Sequence, residues 1–211
     1  MWTRPRGQPV DRPSATRLQW GSIRLKAFDM TTKARATIDD LYRVPDNTKA
    51  EIVDGELILI PPTGDMPARA GFKIAMSLSQ IEGRISGRAY PDNIGYKVNL
   101  PNRDSFSPHA SFYLGQPRGM RFLEGAPVFA VEVRSENDYG PSAETAITKK
   151  REDYFAAGTI IVWDIDLLNQ DLIRCYKADS PDGPRVFRRG DIADAEPALP
   201  GWRIAVDELF S

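Results

Sequence analysis

Pro127-Val-Phe-Ala-Val-Glu-Val133 is the most apolar of three successive strand-like runs, and its reading decides the fold class. An unbroken apolar run of this length suits a central strand buried on both faces. Downstream, Ala143 to Ala157 reads as a helix, and Thr159-Ile-Ile-Val-Trp-Asp164 reads as a second buried strand. Upstream lie two further strand-like runs, Gly95-Tyr-Lys-Val-Asn-Leu100 and Ala110-Ser-Phe-Tyr-Leu114. Before them, Phe72, Ile74, Ala75, Leu78, Ile81 and Ile85 recur near helical spacing. They predict a helix from Ala68 to Ile85, weakened at its end by Gly83 and Gly87. Earlier still, Glu51 to Ile60 reads as a hairpin around the turn pair Asp54-Gly55. Thr37-Ile-Asp-Asp40 has capping-box spacing, so a short helix should follow and end before Pro45. Asp171 to Lys177 and Arg185 to Arg188 look like closing strands. Helices embedded among strands without strict alternation predict an α/β or α+β fold with one mixed sheet, rather than a Rossmann or barrel fold.

The 211 residues suit one globular domain with a tail, and 41% apolar content is enough for a core. Lys plus Arg is 28 and Asp plus Glu is 29, so the net charge is -1. That balance excludes a protein held to nucleic acid by bulk charge, though not one with a local basic groove. The single cysteine, Cys175, excludes an intrachain disulfide framework and a Cys-based zinc site. The single histidine, His109, excludes zinc sites that need two. No apolar run approaches the ~18 residues that span a bilayer, and the N-terminus lacks a secretory pattern. A reduced, cytoplasmic setting is expected. Residues 1–29 are rich in Arg and Pro and weak in apolar periodicity. They read as a disordered basic extension rather than a phosphate-touching arm, with the domain proper spanning 30–211. Met30 opens the cleaner sequence and is the expected start of translation, which N-terminal sequencing would test.

Walker A, GxGxxG, GxSxG and HExxH patterns are absent, which leaves polar residues at strand ends and helix starts. Glu132 shares a strand face with Ala130 and Arg134. A carboxylate there is costly unless it is paired or binds a metal, so it is either a metal ligand or the partner of Arg134. Lys150 and Tyr154 share a helix face. A lysine aimed at a carboxylate site can stabilise a phosphorane-like transition state or orient a water. Otherwise Lys149 and Lys150 belong to a solvated charged surface. His109 is either structural or a ligand for an ion softer than Mg²⁺. Glu51 either adds a further acid or is a solvated charge at a strand start.

Taken together, several stretches resemble the Uma2 restriction endonuclease family, once called a domain of unknown function. They are Tyr42-Arg-Val-Pro45, Glu51-Ile-Val-Asp-Gly-Glu-Leu57, Pro62-Thr-Gly64, Val131-Glu-Val-Arg-Ser135 with Asn137-Asp138, and Lys150-x-x-x-Tyr154-x-x-x-Gly158. Val162-Trp-Asp-Ile-Asp166, Leu199-Pro-Gly-Trp202 and Leu209-Phe210 complete them, so the likeness covers about Thr37 to Phe210. No single motif is specific; their order and spacing are. The resemblance implies a PD-(D/E)xK nuclease, with a restriction endonuclease-like mixed sheet flanked by helices and an N-terminal hairpin. It implies hydrolysis of DNA phosphodiester bonds with Mg²⁺ or Mn²⁺. Matched residue by residue, Glu132 is the strand glutamate, Lys150 the lysine moved to the following helix, and Glu51 a further acid. Arg134 stands where the ordinary motif places its lysine.

Two departures accompany the likeness. The family strand normally opens Pro-Asp where this chain has Pro108-His109, and the histidine often found near Pro67 is missing. His109 then binds a metal with altered preference, or a neighbouring carboxylate such as Asp104 substitutes, or the fold survives as a non-catalytic module for nucleic acid or a protein partner. The pairs Pro45-Asp46, Pro91-Asp92 and Pro181-Asp182 do not restore the motif, Pro91-Asp92 because it precedes the first of the three strands. A hydrolase using Ser107 or Ser111 with His109 is a weaker alternative. With a net charge near zero, DNA would need a groove of cations such as Arg134, Lys149, Lys150 and Arg151. A homodimer is expected of an enzyme that cuts both strands, and no membrane contact is expected.

Overall fold

The computed structural model describes residues 34–45, 48–170 and 172–210. The N-terminal extension and the Met30 start lie outside the described residues. Residues 35–211 form one compact unit.

The first described elements follow from local chemistry. In the short helix α1 (Ile38–Leu41), the Asp40 carboxylate accepts the Thr37 N–H at 2.8 Å, satisfying one of the donors a helix start leaves free. The hairpin of β1 (Ala50–Val53) and β2 (Glu56–Leu59) turns on Asp54 and Gly55, both at positive φ (51° and 77°). Asp and Gly are the residues that adopt this turn most readily.

Helix α2 spans Asp65–Ser79, one turn earlier than the sequence predicts and six residues shorter at its end. Pro67 is accommodated because the first turn of a helix needs no N–H partners. Beyond Ser79 the chain runs through turns to β3 (Arg88–Pro91), a short strand that the sequence reading missed.

Ten strands follow among the described residues. The run read as Gly95–Leu100 forms a strand only at β4 (Tyr96–Lys97), and β5 (Ser105–Phe106) is equally short. β6 (Ala110–Tyr113) and β8 (Phe129–Val133) fall where expected, with β7 (Leu123–Glu124) between them. Helix α3 (Pro141–Ala156) leads to β9 (Ile161–Ile165) and β10 (Ile173–Lys177). β11 (Ser180–Phe187) is longer than expected, and β12 (Ile192–Asp194), β13 (Arg203–Ala205) and a final 3₁₀ turn (Val206–Phe210) close the chain.

The expectation of one mixed sheet is corrected in number. The central sheet has six strands in the order β11-β10-β9-β8-β6-β3, beside a three-stranded sheet (β5-β4-β7) and two two-stranded ones. Within the central sheet only β8 and β9 are parallel, joined by α3 as parallel strands require a crossover.

The two faces of β8 differ. Phe129, Val131 and Val133 pack into a core with α2, Trp163 and the C-terminal segment through Leu209. Ala130 belongs to a second cluster with Val162, Tyr154, Phe106 and Tyr96. Glu132 follows Ala130 on that second face, opposite Asp164 of β9 in the register. So the apolar second face gives way to a polar stripe under α3, where Lys150 and Tyr154 reach Glu132 and Glu144 reaches Arg134. Gly71 of α2 lies against His109: a Cβ there would stand 3.1 Å from the His109 carbonyl oxygen. The absent side chain lets α2 approach the start of β6.

Candidate active site

Four separate elements bring Glu51, His109, Glu132 and Lys150 together. The Lys150 ammonium sits 2.9 Å from Glu51 Oε1 and 2.9 Å from Glu132 Oε1. Tyr154, one turn further along α3, donates its hydroxyl to Glu132 Oε1 at 2.6 Å. The i, i+4 spacing of Lys150 and Tyr154 thus delivers both donors to one carboxylate. The alternative Glu132–Arg134 pair does not form. Arg134 instead grips Asp164 and Glu144.

Glu51 is buried, not a solvated strand end. Its Oε1 also accepts the Ser107 N–H at 2.9 Å, and its Oε2 accepts Arg103 at 2.7 Å. Arg103 reaches on to Asp153 of α3 at 2.8 Å, and Asn102 binds the other oxygen of Asp153. The guanidinium therefore ties the N-terminal hairpin to α3. Phe106 stacks on the Tyr154 ring at 4.0 Å and closes this network from the apolar side.

His109 Nδ1 lies 3.3 Å from Glu132 Oε2 and 3.3 Å from the Val133 nitrogen. One ring nitrogen serves one of these at a time. Unprotonated, it accepts the Val133 N–H, which β6 no longer reaches; protonated, it donates to Glu132.

The electrostatics follow from burial and pairing. Burial opposes the charged form of Glu132, but Lys150 and His109 outweigh it and hold the carboxyl far below its usual range. Burial likewise opposes the Lys150 charge, and Glu132 and Glu51 overcome it, so the ammonium titrates well above an ordinary lysine. Burial and the Glu132 charge push the Tyr154 hydroxyl far up, so it remains a donor. Three carboxylates (Glu51, Glu132, Asp153) face two fixed cations (Arg103, Lys150) within this network. With His109 neutral, one negative charge is left over, in a site where Glu132 keeps 19% of its side-chain surface open. Such a site attracts a cation.

The donor set bears on which cation. Glu132 Oε2 and His109 Nδ1, 3.3 Å apart, have the separation of neighbouring donors on one ion with bonds of about 2.1 Å. Among the described residues, no three His, Cys, Asp or Glu side chains are gathered to hold a metal. Two protein donors would leave the rest of an ion's shell to waters and phosphate oxygens, which Mg²⁺ and Mn²⁺ accept. The imidazole favours Mn²⁺ over Mg²⁺.

Several expectations are corrected. Asp104 does not substitute for the missing aspartate: its carboxylate pairs with Arg35 at 3.1 Å. Pro91-Asp92 does precede the three strand-like runs, at the end of β3, where Pro91 pairs with Ala110. Its carboxylate is bonded to Lys49 and Thr63. Burial raises the Asp92 carboxyl, but Lys49, bonded to it at 2.5 Å, and then His109 bring it below its usual value. The serine alternative loses its support: Ser111 Oγ is bonded to the Tyr96 hydroxyl, and the buried Ser107 Oγ has no hydrogen-bond partner among the described residues. Nor do Arg134, Lys149, Lys150 and Arg151 form a free basic groove. Arg134 and Lys150 are paired as described, Lys149 binds Asp54 at 3.1 Å, and Arg151 stacks on Tyr176. Arg103, Asp153 and the Lys49–Asp92 pair went unseen in the sequence. Only the Pro-Asp pair carried a signal, and it is weak, because the pair precedes the first of the three strand-like runs and such dipeptides recur by chance in a chain with many prolines.

A family profile named Uma2, described as "Putative restriction endonuclease", matches residues 37–207. No curated protein matches the chain. The fold is similar to the crystal structure of "a putative nuclease belonging to DUF820" from Anabaena variabilis ATCC 29413. The TM-score is 0.64 at 17% identity, covering 83% of this chain and 97% of that one. At that identity the likeness speaks for the fold. No helix among the described residues is long and apolar enough to cross a membrane.

Proposed function

The chain belongs to the Uma2 family, and we propose that it hydrolyses phosphodiester bonds of DNA at the Glu132–Lys150 centre with a divalent cation held by Glu132 and His109. The observation that carries this reading is the convergence of Glu51, Glu132 and Lys150, with one negative charge in excess, at a partly open site. When bound, the ion would neutralise charge on the scissile phosphate and lower the pKa of a water.

The chain's own groups do the rest. Lys150 has three N–H donors, and Glu51 and Glu132 take two. The third is left for a non-bridging phosphate oxygen, where its charge counts most as the transition state gathers negative charge. Tyr154 fixes the Glu132 carboxylate by occupying Oε1, which leaves Oε2 for the cation. Glu51, clamped by Arg103 and the Ser107 N–H, positions Lys150 rather than touching substrate. Two copies of the chain would supply the two sites that cutting both strands requires.

The test is nicking of supercoiled plasmid in Mn²⁺ and in Mg²⁺, beside titration of Mn²⁺ into the protein. Glu132→Ala should abolish both nicking and Mn²⁺ binding. Unchanged nicking in that variant refutes the assignment. No nicking and no Mn²⁺ binding in the wild type would favour a non-catalytic module of the same fold.

A further inference from the structure

The polar stripe of the central sheet continues past Glu132. Arg134 shares its face two residues on, about 7 Å along the chain. It lines a cavity of about 670 Å³, walled also by Tyr139, Asp166, Arg174 and Tyr176. That volume lies in the range of small-ligand sites.

Arg134 has little left to offer a ligand, since its guanidinium is clasped between Asp164 and Glu144. Asp166 is different. It is 3% exposed, and its Oδ1 accepts both the Tyr139 hydroxyl at 2.9 Å and the Leu168 N–H at 3.1 Å. Its Oδ2 accepts no hydrogen bond from a described residue. With no described residue donating to it, that oxygen can accept a donor from a ligand in the cavity. Arg174 stands 4.0 Å from Asp164 Oδ2, beyond hydrogen-bond reach, so its guanidinium is not clasped as Arg134's is. Tyr139 and Tyr176 add aromatic rings, one face of Tyr176 being covered by Arg151.

We propose that this cavity takes a nucleotide of the bound strand, its base drawn out of the stack, with the base's exocyclic amino group donating to Asp166 Oδ2 and its phosphate facing Arg174. The inference rests on the nuclease reading for the presence of the strand and names a subsite beside it. Aromatic rings and a cation are what an unstacked nucleotide needs. A carboxylate only accepts, so it selects bases that carry an amino group. Cytosine, adenine and guanine have one; thymine and uracil offer a ring N–H flanked by carbonyls, which the carboxylate repels.

Fluorescence anisotropy with labelled oligo-dC and oligo-dT tests this on the full chain, in EDTA at mildly alkaline pH so that nothing is cut. Oligo-dC should bind about fivefold tighter or more. Asp166→Asn keeps the acceptor that Tyr139 and Leu168 use and puts an amide donor where Oδ2 was. It should erase or reverse the preference, while Arg174→Ala should weaken both oligonucleotides alike. Equal affinities in the wild type, or a preference that survives Asp166→Asn in a variant with native circular dichroism, overturn the proposal. Should that variant not fold, 5′-CMP and 5′-UMP competing against labelled oligo-dC on the wild type decide it. CMP should displace at the lower concentration, and equal displacement overturns the inference. A base preference without plasmid nicking would sink the nuclease reading alone; nicking without a base preference would sink the cavity alone.

Discussion

Lys150 is the residue on which two carboxylates depend. Replacing it by methionine keeps the stem and removes the charge, leaving Glu51 and Glu132 facing each other at low exposure. Loss of one partner from a buried ion pair costs about 3–5 kcal/mol. Lys150→Met should therefore lower stability by about 3 kcal/mol in urea unfolding, besides abolishing nicking. A variant as stable as the wild type would show that the carboxylates find other partners. His109 makes the complementary case. An imidazole beside a carboxylate suits Mn²⁺, and two carboxylates suit Mg²⁺. His109→Asp should shift plasmid nicking toward Mg²⁺, lowering the Mn²⁺-to-Mg²⁺ rate ratio by about tenfold. An unchanged ratio would place the ion elsewhere. Glu132, Lys150 and Tyr154 were legible in the sequence because helix and strand periods say which residues share a face. Arg103 was not: it sits in an irregular loop, and nothing local to Pro101-Asn-Arg-Asp104 says that its guanidinium will lie buried between Glu51 and Asp153.

At the scale of elements, β8, α3 and β9 were readable because they are long and either unbroken or helically periodic. Strands of two residues show no period at all, so β5 and β7 left little trace and β4 was read too long. The first part of β11 hid for another reason. β11 is the outermost strand of the central sheet, where Pro181 and Pro184 are tolerated, and prolines argue against a strand in any reading by pattern. Its neighbour β10 carries Cys175, facing Trp163 of β9 across the register. Burial pushes this thiol up to about 11. The fold thus favours the protonated form. The stability it contributes is complete below the unfolded thiol value near 9 and is lost as the pH rises toward 11. From about pH 8 to about pH 10.5, wild-type protein should lose about 2 kcal/mol more stability than Cys175→Ala, as read by urea unfolding at each pH. Equal losses would mean that the thiol titrates normally.

Over the whole molecule, the C-terminal segment is part of the core rather than an appendage. Trp202 packs within 5.4 Å of Trp163 and 5.6 Å of Phe129, ring centre to ring centre, and its indole N–H reaches Ser77 of α2 at 3.1 Å. Trp202→Ala should cost about 3–5 kcal/mol, measured by urea unfolding followed by circular dichroism. A loss under about 1 kcal/mol would mean that the cavity refills. A partner surface was not legible at this scale because the near-zero net charge is realised as internal pairs, with Arg103, Arg134 and Lys150 each held by carboxylates. The seat of Trp202 also has a temporal side. α2, whose Gly71 lies against His109, is held near its C-terminal end by Trp202, which follows every candidate group along the chain. During synthesis, then, Glu51, His109, Glu132 and Lys150 leave the ribosome before the layer beneath them can close. A chain that stops short of Trp202 carries every candidate group and lacks the indole that packs on Phe129 and Trp163 below them.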